Sequence, residues 1–203
     1  MSSREVPSFG YSDAFKPARP RKKRNNRPAK DVPSPSAMLQ RTMDELSNTE
    51  CIRECKRIVR ESLDAIHLQR PDVLCLGLGS PSASRDARAQ LAFLLAICDD
   101  LQIDRAHVSV YDPVFAAEDI ALLAALGHVA AAAPASASCP PPLTPPVQHG
   151  RFRAAGPTVA FMPHCDLRLY ENLLRENWSG ADPRAGLSQL VLIANRLSDY
   201  AER

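Results

Sequence analysis

The stretch Val73-Leu74-Cys75-Leu76-Gly77-Leu78-Gly79-Ser80-Pro81-Ser82-Ala83-Ser84-Arg85 decides how the chain is read. A short, nearly unbroken apolar run, Val73–Leu78, breaks at glycines and small hydroxyl residues and leads into an amphipathic segment. An apolar run of this length fits a strand buried on both faces, the usual state of a parallel sheet. Glycines after such a strand let the backbone approach a ligand, and the next helix offers free N–H groups. The same residues also make a plain strand-to-helix turn. Both readings stand at this point.

Working outward, strands and helices alternate. Arg85–Leu101 is an amphipathic helix with Leu91, Leu94, Leu95 and Cys98 on its apolar face. Val108–Tyr111 is a second strand, and Ala117–Leu126 a helix stopped by Gly127. His128–Ala132 is a weak third strand, Thr158–Met162 a fourth, Leu167–Asn177 a helix capped by Asp166, and Leu190–Ala194 a fifth strand. The expected fold class is α/β, a Rossmann-like, doubly wound sheet of about five mainly parallel strands with right-handed crossovers. Trp178 follows an apolar helix face (Leu169, Leu173, Leu174) and is expected to close the core beneath the last crossover. The α/β domain spans 37–203. It opens with an N-terminal helical segment over 37–70, read from Leu46, Ile52, Cys55, Val59, Leu63 and Ile66 at threes and fours. An Ala/Pro-rich stretch over 133–156 is expected to be a flexible loop.

Residues 1–36 differ in kind, with six prolines, little aliphatic material and a basic run that includes Arg21, Lys22, Lys23 and Arg24. Such a segment buries too little surface to offset the entropy of ordering. The run fits a nuclear-localisation signal read by an importin-type receptor, or a solubilising tail. The expected location is nucleus and cytoplasm. The whole chain's net charge of +2 is too small to argue for a nucleic-acid partner, and direct nucleic-acid binding by the domain is not expected. No apolar run reaches the ~18 residues of a membrane span, and the N-terminus lacks a secretory h-region. Six scattered cysteines fit free thiols in a reducing compartment.

Candidate chemistry falls just after predicted strands, where α/β sheets bind ligands. Gly77, Gly79 and Ser80 follow the first strand, Asp112 the second, His164 and Cys165 the fourth and Asn195 the fifth. With a 3-2-1-4-5 order, the glycine turn faces the His-Cys turn across one crevice. Gly77, Gly79, Ser80, Asp112 and Asn195 are the candidate cofactor-binding set. Position 82 is Ser82, where the dinucleotide fingerprint has its third glycine. Asp112 lies 33 residues past Gly79, whereas that fingerprint places its acid ~20 residues on. A nicotinamide site is therefore disfavoured, and a looser S-adenosylmethionine or nucleotide site fits better. On the other reading Asp112 only opens a turn before Pro113. His164 is the evident general acid/base and Cys165 the candidate nucleophile, although adjacent side chains diverge. Cys51 and Cys55 share a helix face at i, i+4, but no further ligand follows at zinc-like spacing.

Four blocks resemble the sensitivity-to-red-light-reduced family and its SRR-like domain: 77–95, 110–127, 159–178 and 190–195. The family positions matched are Gly77, Gly79, Ser84, Arg88 and Gln90, then Tyr111, Asp112 and Pro113. The third block adds Pro163, His164, Cys165, Tyr170, Asn172 and Trp178, and the fifth strand adds Asn195. The resemblance implies a regulatory protein acting through protein partners, in circadian input or haem biosynthesis, with no established reaction. The alternative is an enzyme or sensor holding S-adenosylmethionine or another nucleotide, or a haem ligated through His164 or Cys165. The family's Asn-Glu-x-Gly-like turn after the third strand is replaced by Ala/Pro-rich sequence over 130–146. Its Gly-Asn-Ser is here Ala194-Asn195-Arg196.

Overall fold

The computed structural model describes residues 33–127, 129–131, 150–178 and 186–201. The basic run and residues 132–149 of the Ala/Pro-rich stretch lie outside the described residues. Helices α1 (Pro35–Ser47) and α2 (Glu50–Ala65) come first, followed by β1 (Asp72–Leu76) and α3 (Arg85–Asp100). Next come β2 (Val108–Tyr111), α4 (Ala117–Ala125), β3 (Val129–Ala131) and β4 (Thr158–Met162). The chain continues with α5 (Leu167–Asn177), β5 (Leu190–Ala194) and α6 (Ser198–Ala201). No helix among the described residues is long and apolar enough to cross a membrane.

The helical spacing after residue 37 resolves into two helices. The first begins at Pro35, a residue suited to a first helical turn, with the Ser34 hydroxyl accepting the Ala37 N–H. The second begins after Thr49, whose Oγ1 accepts the Ile52 N–H at 3.4 Å. A hydroxyl cap in mid-segment therefore breaks what apolar periodicity reads as one run.

Four parallel strands, in the order β2-β1-β4-β5, make the body of the sheet, and the three-residue β3 adds to the β2 edge. Alternation along the strands sorts the interior into two layers. Val73, Cys75, Val108, Val110, Val159 and Phe161 face one side, against apolar residues of α1 to α4. Leu74, Leu76, Ala160 and Met162 face the other, against Tyr170 and Leu173 of α5. Phe93 of α3 meets Phe161 with ring centroids 5.5 Å apart and planes at 60°, a favourable tilted pair. Burying a leucine as fully as Leu91 or Leu173 contributes about 1.5–3 kcal/mol.

Two expectations are corrected here. The first strand ends at Leu76, because Gly77 adopts φ +70 and turns the chain. Leu78, which sequence places on the strand, instead drops back into the core at 1% exposure. Trp178 does not close the core, since it is 76% exposed. The α5 helix ends at Asn177, and that residue takes the inward position on the line of Tyr170 and Leu173. Asn177 is 1% exposed, and its amide donates to the Phe152 and Leu173 carbonyls while its oxygen accepts the Ala154 N–H. The backbone around 152–154, expected to be loose, is thereby held to α5.

Candidate functional site

Strand numbering runs one way from β1 to β3 and the other way from β4 to β5. The order therefore reverses between β1 and β4. This is the topological position at which parallel sheets bind ligands. The 77–84 turn follows β1 there, and Pro163-His164-Cys165 follows β4.

The turn is held by two acids, Asp112 from the β2–α4 connection and Asp119 from the first turn of α4. Asp112 accepts the Gly79 N–H at 2.8 Å with one oxygen and the Val114 N–H at 2.9 Å with the other. Asp119, fully buried, accepts the Ser82 N–H at 2.8 Å, the Ser80 hydroxyl at 2.7 Å and the Ala116 N–H at 2.9 Å. Burial alone would raise the pKa of Asp119. The hydrogen bonds from the Ser82 and Ala116 backbone and the serine hydroxyls outweigh that effect and hold it below the ordinary aspartate value. Arg88 closes the turn from the α3 side, donating to the Pro81 carbonyl at 2.7 Å and the Ser82 carbonyl at 3.2 Å. The Ser84 hydroxyl caps α3 through the Ala87 N–H.

Gly77 and Cys165 interlock. A Cβ on Gly77 would lie 2.6 Å from the Cys165 Sγ, so the glycine is what admits the sulfur. The thiol donates to the Leu76 carbonyl at 3.2 Å. Burial, with Asp166 and Asp112 nearby, pushes it up to about 12. Cys165 is thus a protonated packing thiol at neutral pH, without the depressed pKa a nucleophile needs. His164 points the other way and is exposed.

Asn195 closes the far side of the β4 turn. Its amide donates to the Tyr200 hydroxyl at 2.8 Å, and that hydroxyl donates to the Cys165 carbonyl at 3.1 Å. The Tyr170 hydroxyl is bonded to the Met162 carbonyl and accepts the Asn195 N–H at 3.4 Å. Burial raises the Tyr170 phenol, which keeps it a donor.

The structure therefore gathers the sequence-predicted residues into two interlocked turns at the strand ends. Gly79, Ser80 and Asp112 bond within one turn or to its neighbour, and Asn195 braces the other. His164 faces a different hollow of about 340 Å³, lined also by Cys51, Cys55, Asp86 and Gln90. The Gln90 Oε1 there is buried without a hydrogen-bond partner among the described residues. Among those residues, no group of three or more His, Cys, Asp or Glu side chains is placed to hold a metal ion.

Asp119, Tyr200 and Asn177 escape sequence reasoning. A clue to Asp119 was its place three residues after the N-cap of α4, as in a capping box. The N-cap residue there is Ala116, so the usual serine or threonine signature is missing.

A family model describing the SRR1 domain matches residues 55–203. The chain belongs to the SRR1 domain family. An SRR1-like protein of Mus musculus is 33% identical over 174 residues, covering 76% of this chain and 64% of that protein. The Arabidopsis thaliana protein Sensitivity to Red Light Reduced 1 is 29% identical over 127 residues, 63% of this chain and 40% of that protein. An SRR1-like protein of Drosophila melanogaster is 26% identical over 157 residues, 77% of this chain and 50% of that protein. The chain thus spans less than two thirds of the length of each of these relatives. No solved structure matches it. Within the SRR1 domain, the two interlocked turns belong to the matched region, whereas α1 precedes it.

Proposed function

We propose that this chain is a regulatory protein, and that its Rossmann-like SRR1 domain works as a rigid module presented to partner proteins. One observation carries the reading. Three of the four carboxylate oxygens beside the glycine turn, one of Asp112 and both of Asp119, accept from the turn's own N–H and hydroxyl groups, and the fourth accepts the Val114 N–H. In a nucleotide site those N–H groups would be offered to a phosphate and an acid to a ribose. Here they are committed to each other. The finer reading, regulation of the circadian or haem-biosynthesis kind, rests on the family resemblance. The basic run at 21–24 supports a nuclear share of that work.

A second reading keeps the domain as a sensor or enzyme for a small ligand. It is favoured by the hollow beside His164, where the Gln90 Oε1 lacks a partner. A thermal-shift screen of the full chain separates the two, using S-adenosylmethionine, adenine and nicotinamide nucleotides, and hemin. A ligand present at ~100 times its dissociation constant stabilises by about 2.7 kcal/mol, which is a rise of several degrees for a domain of this size. The regulatory reading expects no such rise. A rise that Gln90→Leu or His164→Ala abolishes would replace it with the sensor reading.

A further inference from the structure

The exposed face of α5 carries Leu167, Glu171, Leu174, Arg175 and Trp178 along one ridge, with Leu197 beside it. Leu167, Trp178 and Leu197 are 49%, 76% and 42% exposed, an unusual cluster of large apolar side chains in water. Between α5 and Leu197 runs a hollow of about 300 Å³, floored by Tyr170. Within the ridge, Glu171 and Arg175 form an ion pair at 2.6 Å.

We propose that this face is the contact between two copies of the chain, packed with their α5 helices antiparallel about a two-fold axis. The ridge is self-complementary in charge, and it carries both an exposed indole and an apolar hollow. A dyad level with Asn172–Leu173 brings Glu171 of one copy opposite Arg175 of the other, each about 3 Å along the helix from the axis. The same dyad brings Leu167 opposite Trp178, each about 8 Å from it. Each indole then enters the other copy's hollow, beside Leu167 and Leu197. One axis thus satisfies both the ionic and the apolar pairs, which is what an isologous interface requires. Two aromatic anchors with a charged pair between them match the usual anatomy of a contact's energetic centre. The existing Glu171–Arg175 pair within each copy needs only to be shared with its mate.

The test is sedimentation velocity on the full chain at concentrations up to ~100 µM, where a weak interface populates its dimer. The parent should dimerise, and Trp178→Ala should weaken association at least tenfold while leaving the circular dichroism spectrum intact. Glu171→Arg gives a ridge with two arginines, and Arg175→Glu gives one with two glutamates. Each variant alone should be monomeric, and an equimolar mixture of the two should recover the dimer. Only pairing between chains produces that recovery, because neither variant regains its internal ion pair. A parent that stays monomeric, a Trp178→Ala variant that dimerises like the parent, or a mixture that stays monomeric would each overturn the proposal.

Discussion

Gly77→Ala tests the interlock between the two turns. The new Cβ meets the Cys165 Sγ at 2.6 Å, and the backbone holds φ +70. The left-handed conformation costs a non-glycine residue about 1–2 kcal/mol, and forcing a methyl into a packed site costs about 1–3 kcal/mol more. The single variant should therefore lose about 2–5 kcal/mol. Cys165→Ala removes a buried sulfur and its bond to the Leu76 carbonyl, for about 1–2 kcal/mol. With the sulfur gone, the nearest Cys165 atoms to the new methyl are Cα and Cβ at 4.0 Å, an ordinary contact. The double variant should keep the backbone strain and shed the overpacking. Its loss should fall short of the sum of the singles by about 1–3 kcal/mol. Urea denaturation of the four proteins measures this. Each kcal/mol moves the midpoint by roughly half a molar for a typical slope. Independent sites add to within about 0.5 kcal/mol. Additivity at that level would mean that Cys165 does not seat on Gly77.

Three further outcomes follow from other parts of the molecule. Asp119 has a depressed pKa in the folded chain, so its stabilisation is complete above the unfolded value near ~3.9 and fades as pH falls through the folded value. Asp119→Asn should lower stability at neutral pH by about 1–3 kcal/mol and flatten the acid limb of a stability-versus-pH curve; an unchanged limb refutes the assignment. Burial pushes Cys165 to about 12 and Cys98 to about 11, and lifts Cys75 well above the usual thiol range, whereas Cys51 is exposed. Iodoacetamide followed by peptide mapping at pH 8 should label Cys51 ahead of these three, which should react only on unfolding; early labelling of Cys165 would contradict its packing. Changing Lys22, Lys23 and Arg24 to alanine in a fluorescent fusion should lower nuclear accumulation, and an unaltered distribution would remove the import reading.

The parallel α/β character was legible because its signals are local. Short β-branched and leucine runs mark the strands, and Ser84 and Asp166 stand where helix caps belong. The reach of α5, Leu167–Asn177, comes from the same kind of signal. The site was legible in position but not in role. The residues after the strands do come together, yet nothing local says that Asp112 and Asp119 would turn their oxygens onto the glycine turn. That arrangement depends on pairing across more than thirty residues. The error at Trp178 has a related cause. Apolar periodicity credits the interior only with apolar residues, so it assigned the last inward place to the indole. Asn177 holds that place because three hydrogen bonds offset the cost of burying its amide. The buried carboxylate of Asp119 was invisible for the same reason.

The middle strand has a consequence for the order in which the chain assembles. β1 pairs with β2 through Val73 and Val108, 35 residues apart, and with β4 through Asp72 and Thr158, 86 residues apart. Closing the longer loop costs about 0.8 kcal/mol more chain entropy by the logarithmic rule. Every bond that Asp112 and Asp119 make to the glycine turn lies inside the earlier half. That half can thus set its turn before β4 arrives, and Cys165 then docks into a seat already formed. Pulse-labelled hydrogen exchange should show β1 and β2 amides protected ahead of β5; simultaneous protection would argue for a single step. On a ribosome, the β1–β2 pair leaves the exit tunnel first, so synthesis and loop entropy favour the same sequence of events.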